Sequence, residues 1–489
     1  MWTNKKTSIG VDALKLTASK IITLAIVMIT AMLLSRFLTL EEYGTYSQIL
    51  LAINLITSLL MLGLPNSINY FLARAESKEE MQKFLSVYYT LSTLLSIAVG
   101  LALVCVAPLI IKYFNNELIK TFVYFFTVYP WTKIISSGID NILIVYKKTS
   151  MLLIYRVSNS IALLLIILIV QTLKLNFDTY MILFLAVEVV FAASVFIIVK
   201  GLSKKLYISL DTDLIKKILT FSIPIGLASA VGTLNIEIDK LMIGNFFDVE
   251  HLAIYTNASK EMPVTIIAMS LTAVLMPQLV RLLKKNKNNE AIELWSSATL
   301  LAYTFICVLA TVFFVFAPDV MTLFYSEKYL PGVSVFRVFN IVLLLRCTYF
   351  GMILNSKGKT RFIFYSSIAS LVLNVILNYV LYYKLGFIGP AIATLLSQAT
   401  INILQLVYSC RITNIKFKKI MPWNKMTIIT VMNLLLGVIL YFIKDYILLE
   451  KIVGSIIESI ILGCIGGLLY LVICFVPIKM LWKSLNKGD

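Results

Sequence analysis

The turn Arg36-Phe-Leu-Thr-Leu-Glu-Glu-Tyr-Gly-Thr-Tyr46 connects two long apolar segments and is partly repeated later in the chain. The related turn is Asn245-Phe-Phe-Asp-Val-Glu-His-Leu-Ala-Ile-Tyr255, which lies 209 residues further on and shares one Phe, one Glu and the final Tyr. A second match, at an offset of 211, relates residues 142–149 to residues 353–360, since both contain Ile-Leu followed by Lys-Thr. Because the two offsets are nearly equal, they predict a duplicated helical unit.

The composition predicts an all-α integral membrane protein. Of 489 residues, 60% are hydrophobic and 14% are charged, whereas soluble domains average about 45–50% apolar and about 25% charged residues. A membrane-spanning helix needs about 20 apolar residues, and runs of that length predict about 14 transmembrane helices. The predicted spans are residues 14–38, 43–64, 84–111, 118–139, 151–173, 178–199, 217–246, 252–278, 292–316, 332–354, 362–383, 388–409, 426–443 and 453–477.

The repeat divides the predicted helices into two bundles. Residues 1–210 are expected to form an N-terminal six-helix bundle, residues 211–415 a C-terminal six-helix bundle, and residues 416–489 two additional transmembrane helices. Because each bundle has an even number of spans, both begin on the same side of the membrane and the repeat is parallel. Parallel halves are a common plan of secondary transporters, in which the substrate path runs between the halves.

The net charge of +18 follows a topological pattern. Lys and Arg collect in every second connection, including Lys204, Lys205, Lys284 and Lys285, and cytoplasmic connections retain basic residues. This pattern predicts that both termini are cytoplasmic, and it explains the charge without nucleic acid as a partner. The first apolar run is too long for a signal peptide and has no small-residue cleavage site, so we expect it to remain in the mature protein.

Motifs for catalysis, cofactors and metal ions are missing from the sequence. The sole histidine, His251, has no Cys or His nearby, and the six cysteines form no CxxC pair. Residues 357–360, Lys-Gly-Lys-Thr, look like the end of a phosphate-binding loop, but Ile353 stands where the first Gly of that loop is needed. We therefore expect no enzyme activity and no cofactor. The connections are also too short for the external domain that a membrane polymerase or ligase would need.

The most polar predicted hairpin consists of spans 217–246 and 252–278. Charges inside a bilayer are costly and tend to face partners or water-filled cavities. Asp239 and Lys260 lie at nearly equal distances from the connecting turn and could pair. One interpretation is a salt bridge that fixes packing; the other is a substrate path with a carboxylate that a proton or sodium ion neutralises. The candidate residues of this hairpin are Asn235, Glu237, Asp239, Lys240, Asn257, Lys260 and Glu261.

Cationic and amide side chains also occur in other predicted spans. The cations could line a path for an anionic substrate or, near helix ends, reach the membrane interface; they are Lys20, Lys133, Arg156, Arg337 and Arg346. The amides either form interhelical hydrogen bonds or bind sugar hydroxyls; they are Asn374, Asn378, Gln398, Asn402, Gln405, Asn54, Asn66 and Asn69. Pro65 is expected to end or kink its helix.

The sequence resembles bacterial polysaccharide-biosynthesis flippases of the multidrug/oligosaccharidyl-lipid/polysaccharide exporter superfamily. The resemblance is carried by residues 35–46, residues 239–258 and residues 354–360, Leu-Asn-Ser-Lys-Gly-Lys-Thr. It implies a fold of 14 helices in two bundles, in which spans 1, 2, 7 and 8 frame a central cavity and a lateral opening to lipid. It also implies the bacterial cytoplasmic membrane as the location, and an oligosaccharide repeat unit on undecaprenyl pyrophosphate as the substrate.

In such a flippase, the headgroup crosses through the cavity while the polyprenyl chain stays in lipid. Lys20 would then receive the pyrophosphate near the cytoplasmic side, and Arg36 would serve the outer gate or an interfacial anchor. The implied partners are membrane lipids, a polysaccharide polymerase and glycosyltransferases, and the glycan is O-antigen, capsule or a related polysaccharide. Two alternatives stay open: a multidrug antiporter of the same architecture and a peptidoglycan-precursor flippase.

Overall fold

The computed structural model describes residues 9–260, 262–447 and 454–474, and this part of the chain consists of helices joined by short connections. The chain groups into two compact units, Met1–Ala253 and Ile254–Asp489. The helices up to the division are α1 Ile9–Phe37, α2 Leu40–Leu60, α3 Pro65–Phe71, α4 Lys78–Phe114, α5 Val123–Ser136, α6 Ile139–Val145, α7 Thr149–Thr172, α8 Phe177–Ser203, α9 Thr212–Phe246 and α10 Val249–Ala258, which begins in the first unit. The later helices are α11 Ile266–Lys284, α12 Asn288–Val315, α13 Ala317–Tyr325, α14 Val333–Leu345, α15 Met352–Ser356, α16 Thr360–Leu385, α17 Gly389–Thr413, α18 Phe417–Ile420, α19 Trp423–Ile447 and α20 Ser455–Ile473.

Helices overlap every predicted span, but the predicted number of fourteen is not confirmed. Within the described residues, eleven helices are long and apolar enough to cross a membrane, or twelve when the bent pair Thr265–Thr272 and Val274–Lys284 is one span. The segment Thr360–Thr413 is one of the eleven, although it consists of α16 and α17. The predicted span 118–139 is not among the eleven, because its helix α5 has only 14 residues and follows a 3₁₀ turn, Glu117–Phe122.

Apolar side chains are exposed along the helices of both units. Leu109 and Ile197 in the first unit, and Leu434 and Val472 in the second, are examples with more than half of their surface exposed. A lipid environment provides no partners for backbone polar groups, and a helix satisfies these groups internally. The exposed apolar surface therefore fits lipid, and the prediction of an all-α membrane protein is confirmed.

Aromatic rings fill part of the interior of the first unit. Phe184 of α8 lies 5.6 Å from Tyr129 and 6.0 Å from both Phe125 and Tyr46, measured between ring centroids. These rings join α8 to α5 and α2. Aromatic pairs at such distances contribute about 0.5–1.5 kcal/mol each beyond the burial of their surface. The cluster therefore fixes these three helices against one another.

The two copies of the first repeated turn have the same local structure. In the first copy, the Thr39 hydroxyl accepts a hydrogen bond of 3.2 Å from the Glu42 amide, and the Glu42 carboxylate accepts one of 2.8 Å from the Thr39 amide. In the second copy, Asp248 takes the position of Thr39 and accepts a hydrogen bond of 2.8 Å from the His251 amide. Thr and Asp are both good helix N-caps. The offset of 209 thus relates two equivalent helix starts.

The differences between the two turns have physical reasons. A Cβ atom on Gly44 would lie 2.1 Å from the Val249 carbonyl oxygen, so only glycine fits where these backbones approach. Ala253 occupies the equivalent position in the second copy. Asn245, which replaces the arginine of the first turn, donates a hydrogen bond of 2.8 Å to the Tyr113 carbonyl oxygen. This bond ties the end of α9 to the end of α4.

The second repeated turn also has matching hydrogen bonds. The Lys148 amide donates to the Leu143 carbonyl oxygen at 2.7 Å, just before α7 begins. The Lys359 amide donates to the Leu354 carbonyl oxygen at 2.8 Å, just before α16 begins. Because these bonds also correspond at an offset of 211, the duplication predicted from four matching residues extends to the backbone.

The last two described helices, α19 and α20, pack against α12 in the second unit. The Tyr303 hydroxyl of α12 lies 2.7 Å from the Thr430 hydroxyl of α19. The two compact units are defined by packing, whereas the predicted bundles are defined by the sequence repeat. The predicted bundle boundaries after residues 210 and 415 therefore stay predictions.

The second membrane-spanning segment, Leu40–Phe71, extends beyond the predicted span 43–64 and is broken between α2 and α3. Leu62 and Gly63 both have positive φ angles, of 53° and 68°. Pro65 is the first residue of α3, a position that suits proline because the amide there needs no helical partner. The structure thus has the expected interruption near Pro65, and the left-handed residues before the proline produce it.

Candidate functional site

Helix α9 carries four of the predicted site residues within the first unit. Asp239 is 3% exposed, whereas Asn235, Glu237 and Lys240 are half-buried. The Lys240 amino group lies 2.7 Å from the Glu237 carboxylate one helical turn away, as the shared side of these two residues predicts. A buried carboxylate and an adjacent ion pair therefore occupy one turn of a membrane-spanning helix.

The position of α9 is fixed near its C-terminal end and near its middle within the first unit. At one end, the Tyr113 hydroxyl donates a hydrogen bond of 3.2 Å to the Leu241 carbonyl oxygen, beside the bond from Asn245. Near the middle of the helix, a Cβ atom on Gly226 would lie 2.4 Å from the Gly63 amide nitrogen of the broken span. These contacts fix α9 on both sides of the charged turn that contains Glu237 and Lys240.

In the second unit, two of the predicted cations lie together. Lys260 and Arg346 line one small cavity with Phe336, Phe339 and Asn340. Lys260 comes shortly after α10, and Arg346 directly follows α14. The cavity has a volume of about 10 Å³, which is room for one water molecule at most. The structure therefore brings the two cations to one place without space for a larger ligand.

The other predictions for this part of the hairpin have different outcomes. Asn257 lies in α10 and is 1% exposed. The predicted pair of Asp239 and Lys260 joins residues of the two separately packed units and stays a prediction. Glu261 lies outside the described residues.

The predicted site residues of the first two spans lie at separate places. Lys20 and Arg36 are both exposed on α1, and 16 residues at a helical rise of about 1.5 Å separate them by about 24 Å. Asn66 is half-buried in α3, and its amide group donates a hydrogen bond of 3.3 Å to the Gly63 carbonyl oxygen. Arg36 therefore lies in the last turn of α1 and Lys20 nearer its middle, and the roles of both residues stay predictions.

Three cations that were expected either to line a path or to reach the interface have partners in the structure. Arg156 forms a two-pronged ion pair with Asp140. The Arg337 guanidinium donates a hydrogen bond of 3.1 Å to the Phe314 carbonyl oxygen. The Lys133 amino group lies 5.0 Å above the ring of a neighbouring tyrosine of α5. These contacts favour packing roles for all three side chains.

The amide-rich stripes of α16 and α17 bond to neighbouring helices. The Asn374 amide donates to the Thr394 hydroxyl at 3.2 Å, and the Gln405 amide donates to the Ser366 hydroxyl at 3.3 Å. The Asn402 amide donates to a carbonyl oxygen of α14 at 2.7 Å. Of the two alternatives open for these residues, the structure favours interhelical hydrogen bonding.

A buried polar cluster in the second unit was missed by the sequence reasoning. Asp319 of α13 accepts hydrogen bonds from Lys444 of α19 and from Ser455 and Ser459 of α20. Burial alone would raise the pKa of the Asp319 carboxyl, but these hydrogen bonds outweigh it and lower the pKa from its ordinary value. No local pattern could reveal this cluster, because Asp319 lies more than a hundred residues before its three partners in the sequence.

A cavity in the first unit was missed as well. Its volume is about 460 Å³, and the end of the second span, the start of α4 and the start of α9 line it. Arg74, Lys83 and Lys217 belong to its lining. In the sequence, basic residues of this kind indicate only the topology. The sequence feature that could have indicated this site is the spacing of four residues between Tyr70 and Arg74. Side chains at this spacing can contact each other on a helix.

The predicted absence of a metal site and of a catalytic histidine stays an expectation. Within residues 9–260, 262–447 and 454–474, no group of three or more His, Cys, Asp or Glu side chains is placed to hold a metal ion. His251 lies 2.7 Å from the Asp248 carboxylate and belongs to the start of α10. The six cysteines are free.

The sequence matches two protein-family models. A model described as polysaccharide biosynthesis protein matches residues 9–283, and a model described as MatE matches residues 224–380. A probable low-salt glycan biosynthesis flippase, Agl15 of Haloferax volcanii, is 22% identical over 51% of this chain and 51% of its own length. The capsular polysaccharide biosynthesis protein CapF of Staphylococcus aureus is 22% identical over 44% of this chain and 56% of its own length. The chain thus spans about half the length of these curated relatives.

Solved structures share the fold. A lipid II flippase, MurJ, in an inward closed conformation superposes with a TM-score of 0.72 and covers 95% of this chain and 99% of its own, at 17% identity. A multidrug resistance MATE family transporter in an inward-facing conformation gives a TM-score of 0.65 over 80% of this chain and 94% of its own, also at 17% identity. At such identity the likeness establishes a common fold and leaves the substrate open.

Proposed function

Because the chain belongs to the polysaccharide biosynthesis protein family, we propose that it is a flippase for lipid-linked oligosaccharide. The cargo is an oligosaccharide repeat unit on undecaprenyl pyrophosphate, which moves from the inner to the outer leaflet of the bacterial cytoplasmic membrane. The observation that carries the proposal is the family match over residues 9–283, which includes α9 and both copies of the first repeated turn. A polymerase and glycosyltransferases of surface polysaccharide assembly are the proposed partners.

The charged residues of the spans support this cargo physically. A pyrophosphate-linked sugar cannot cross hydrocarbon unaided, whereas a polyprenyl chain can remain in it. Arg and Lys side chains form strong, charge-assisted hydrogen bonds with phosphate oxygens. Lys240, which lies beside Asp239 and pairs with Glu237, and Lys260 near Arg346 are the cationic positions that we propose for the headgroup.

The proposed path uses the other predicted residues at its two ends. Lys20 receives the pyrophosphate near the cytoplasmic side, and Arg36 serves the outer gate or anchors α1 at the interface. Asn66, Asn235 and Asn257 offer amide groups to sugar hydroxyls. A proton or sodium ion is the proposed coupling ion, because Asp239 or Glu237 can be neutralised by either when the headgroup leaves. Glu261 also belongs to the proposed path.

The test is made in the host bacterium with a strain that lacks the protein and with a Lys240→Ala, Lys260→Ala double variant. We expect lipid-linked repeat units to accumulate in the inner leaflet and surface glycan to be lost in both. Lys285→Ala, which removes an exposed lysine from a connection, is the matched control and should support normal surface glycan. Unchanged surface glycan in the strain that lacks the protein would contradict the proposal.

A second candidate function is a multidrug antiporter, which the MatE match over residues 224–380 favours. Such a transporter would need acidic groups for cationic drugs. The described spans carry Asp239 and the Glu237–Lys240 pair, but also several lysines and arginines, which repel cations. Drug susceptibility of an overexpressing strain separates the two functions, because an antiporter should raise the inhibitory concentrations of cationic drugs and an oligosaccharide flippase should not.

A peptidoglycan-precursor flippase is the remaining alternative, since a lipid II flippase shares the fold. The precursor carries the same kind of lipid pyrophosphate. Depletion distinguishes the two cargoes: loss of peptidoglycan precursor transport should stop growth and lyse cells, whereas loss of a surface-glycan flippase should leave growing cells with altered surface polysaccharide.

A further inference from the structure

The cavity in the first unit has the features of a binding site. The last turn of the second span and the residues after it, the first turns of α4 and the first turns of α9 surround a volume of about 460 Å³. Arg74, Glu80, Lys83, Asp213 and Lys217 all line it and are exposed, so a ligand can reach them from outside. Cationic and anionic side chains thus line one concave site together with aromatic rings. Sites for small ligands usually combine apolar walls with a few polar groups in this way.

Arg74 is held in place by a stack of rings. Its guanidinium carbon lies 4.0 Å from the centre of the Tyr70 ring, and Tyr70 stacks on Phe221 at 4.4 Å with an interplanar angle of 28°. A guanidinium group stacked on an aromatic face keeps its N–H donors, which match the geometry of phosphate oxygens. The stack therefore fixes a donor for an anionic group before the ligand arrives.

The carboxylates of the cavity do not neutralise this cation. Asp211 forms an ion pair of 2.5 Å with Lys83 and also accepts a hydrogen bond of 2.9 Å from an amide at the start of α9. Glu80 accepts a hydrogen bond of 2.8 Å from the Glu76 amide. In the part of the chain that the structure describes, no carboxylate forms a salt bridge with Arg74 or Lys217, so both cations can meet a phosphate group.

We propose that this cavity is a receiving subsite for a phosphosugar headgroup, in which Arg74 and Lys217 bind the phosphate groups and Asp213 accepts hydrogen bonds from sugar hydroxyls. The proposal rests on the proposed flippase function and specifies where its substrate first binds. The cavity lies beside the connections 72–77 and 204–211, and the pattern of basic residues predicts that both are cytoplasmic. Lipid-linked sugars that await transport have their headgroups on that side.

The direct test measures binding to the purified full-length protein in lipid nanodiscs. The probes are undecaprenyl-pyrophosphoryl-N-acetylglucosamine, undecaprenyl pyrophosphate without sugar, inorganic pyrophosphate and phosphatidylglycerol. An Arg74→Ala, Lys217→Ala double variant should bind the sugar-bearing probe roughly tenfold more weakly, which corresponds to about 1.4 kcal/mol. The matched control is Lys216→Ala, which removes an exposed lysine next to Lys217 that does not line the cavity and should leave binding unchanged.

Asp213→Asn tests whether sugar is recognised together with phosphate. This change removes a negative charge, so it should strengthen binding of undecaprenyl pyrophosphate while it reduces the preference for the sugar-bearing probe. Equal losses for both probes would overturn the assignment of Asp213 to the sugar. Phosphatidylglycerol that competes as well as the sugar-bearing probe would show a site for anionic lipid headgroups in general and would overturn the proposal.

A double variant that does not fold is replaced by Lys217→Glu, a change at an exposed position that should repel the phosphate groups and weaken binding at least as much. Binding by that variant equal to binding by Lys216→Ala would overturn the receiving subsite. This failure is distinct from failure of the flippase function, which appears as unchanged surface glycan in the strain that lacks the protein.

Discussion

Glu237, Asp239 and Lys240 lie within one turn of α9, but their surroundings differ. Glu237 and Lys240 pair at 2.7 Å with 20% and 22% of their side chains exposed, whereas Asp239 is almost completely buried. A charge within a membrane-spanning helix is costly unless a partner or water compensates it. The Glu237–Lys240 pair compensates itself within one helix, so neither residue needs the second helix of the hairpin for stability.

The pair predicts unequal effects of single and double substitutions. Lys240→Met should reduce the stability of the folded protein by about 1–3 kcal/mol, because it leaves a half-buried carboxylate without its donor. The double variant Glu237→Gln, Lys240→Met should recover most of that loss, since removal of both charges is often close to neutral. Thermal unfolding in detergent measures both. A double variant less stable than Lys240→Met would contradict the local pairing.

Asp319 is the second residue whose surroundings determine its role. It lies in α13, outside the membrane-spanning helices, and receives hydrogen bonds from α19 and α20. Burial opposes the charged form of Asp319, yet the donors Lys444, Ser455 and Ser459 lower its pKa below the ordinary value. The ionised carboxylate therefore stabilises the contact between α13 and the last two described helices.

The lowered pKa of Asp319 gives a pH prediction with a defined sign. The stabilisation is fully present above the ordinary aspartate pKa of about 3.9 and is lost as the pH falls through the lower value of the folded protein. Asp319→Asn should therefore lower the thermal midpoint at neutral pH, and its difference from the unsubstituted protein should shrink below about pH 4. Asp445→Asn, at an exposed position of α19, is the control and should change little. A difference that persists unchanged at pH 3 would contradict the role of the charge.

At the scale of the elements, the broken second span and α9 cross with their backbones in close contact. A Cβ atom on Gly226 would lie 2.4 Å from both the Gly63 amide nitrogen and the Leu62 carbonyl carbon. Gly63 also has a positive φ of 68°, which side chains other than that of glycine rarely adopt. Backbone atoms cannot move aside as a flexible side chain can, so both glycines are needed where the two elements meet.

Alanine substitutions within α9 test this crossing. Gly226→Ala should separate α9 from the broken span and reduce both stability and transport. Gly232→Ala in the same helix is the control, because nothing lies within 4 Å of its added Cβ atom; it should stabilise the protein by about 0.5–1 kcal/mol, since alanine favours helices. Thermal unfolding and surface-glycan complementation measure the two effects. Equal results for the two variants would show that the crossing tolerates a side chain.

Local patterns predicted the helical elements better than they predicted the contacts between them. The repeated turns follow from short-range hydrogen bonds, such as those of Thr39 and Asp248, and the interruption of the second span follows from Gly63 and Pro65. The number of spanning helices does not follow, because a 3₁₀ turn before α5 and a bend in α11 divide runs that are continuous in composition. The contact between Asp319 and Lys444 required the folded chain, since apolar periodicity does not state which helices become neighbours.

The candidate site shows the same limit. Charge inside a span pointed directly to Glu237, Asp239 and Lys240, because such charge is rare in lipid. Arg74 and Lys217 were overlooked because basic residues are common in cytoplasmic connections, where topology is a sufficient explanation for each of them. Only the stack of Arg74 on Tyr70 and the shared cavity separate these residues from the other basic residues of the connections.

At the scale of the whole molecule, the basic residues make the orientation in the membrane testable. Lys204 and Lys205 follow α8, whereas Lys174 lies between α7 and α8 at the opposite end of that helix. If basic connections remain in the cytoplasm, the connection after α8 is cytoplasmic and the one before it is external. The receiving subsite proposed above depends on this orientation, because its cavity adjoins the connection after α8.

Cysteine accessibility in intact cells decides the orientation. In a variant without the six native cysteines, Lys174→Cys should react with a membrane-impermeant maleimide, and Lys205→Cys should react only after the membrane is opened. Both positions are exposed in the structure, so a lack of labelling before opening reports the side of the membrane and not burial. Labelling of Lys205→Cys but not of Lys174→Cys in intact cells would reverse the topology. The cavity with Arg74 would then face outwards, where it could bind the headgroup only after transport.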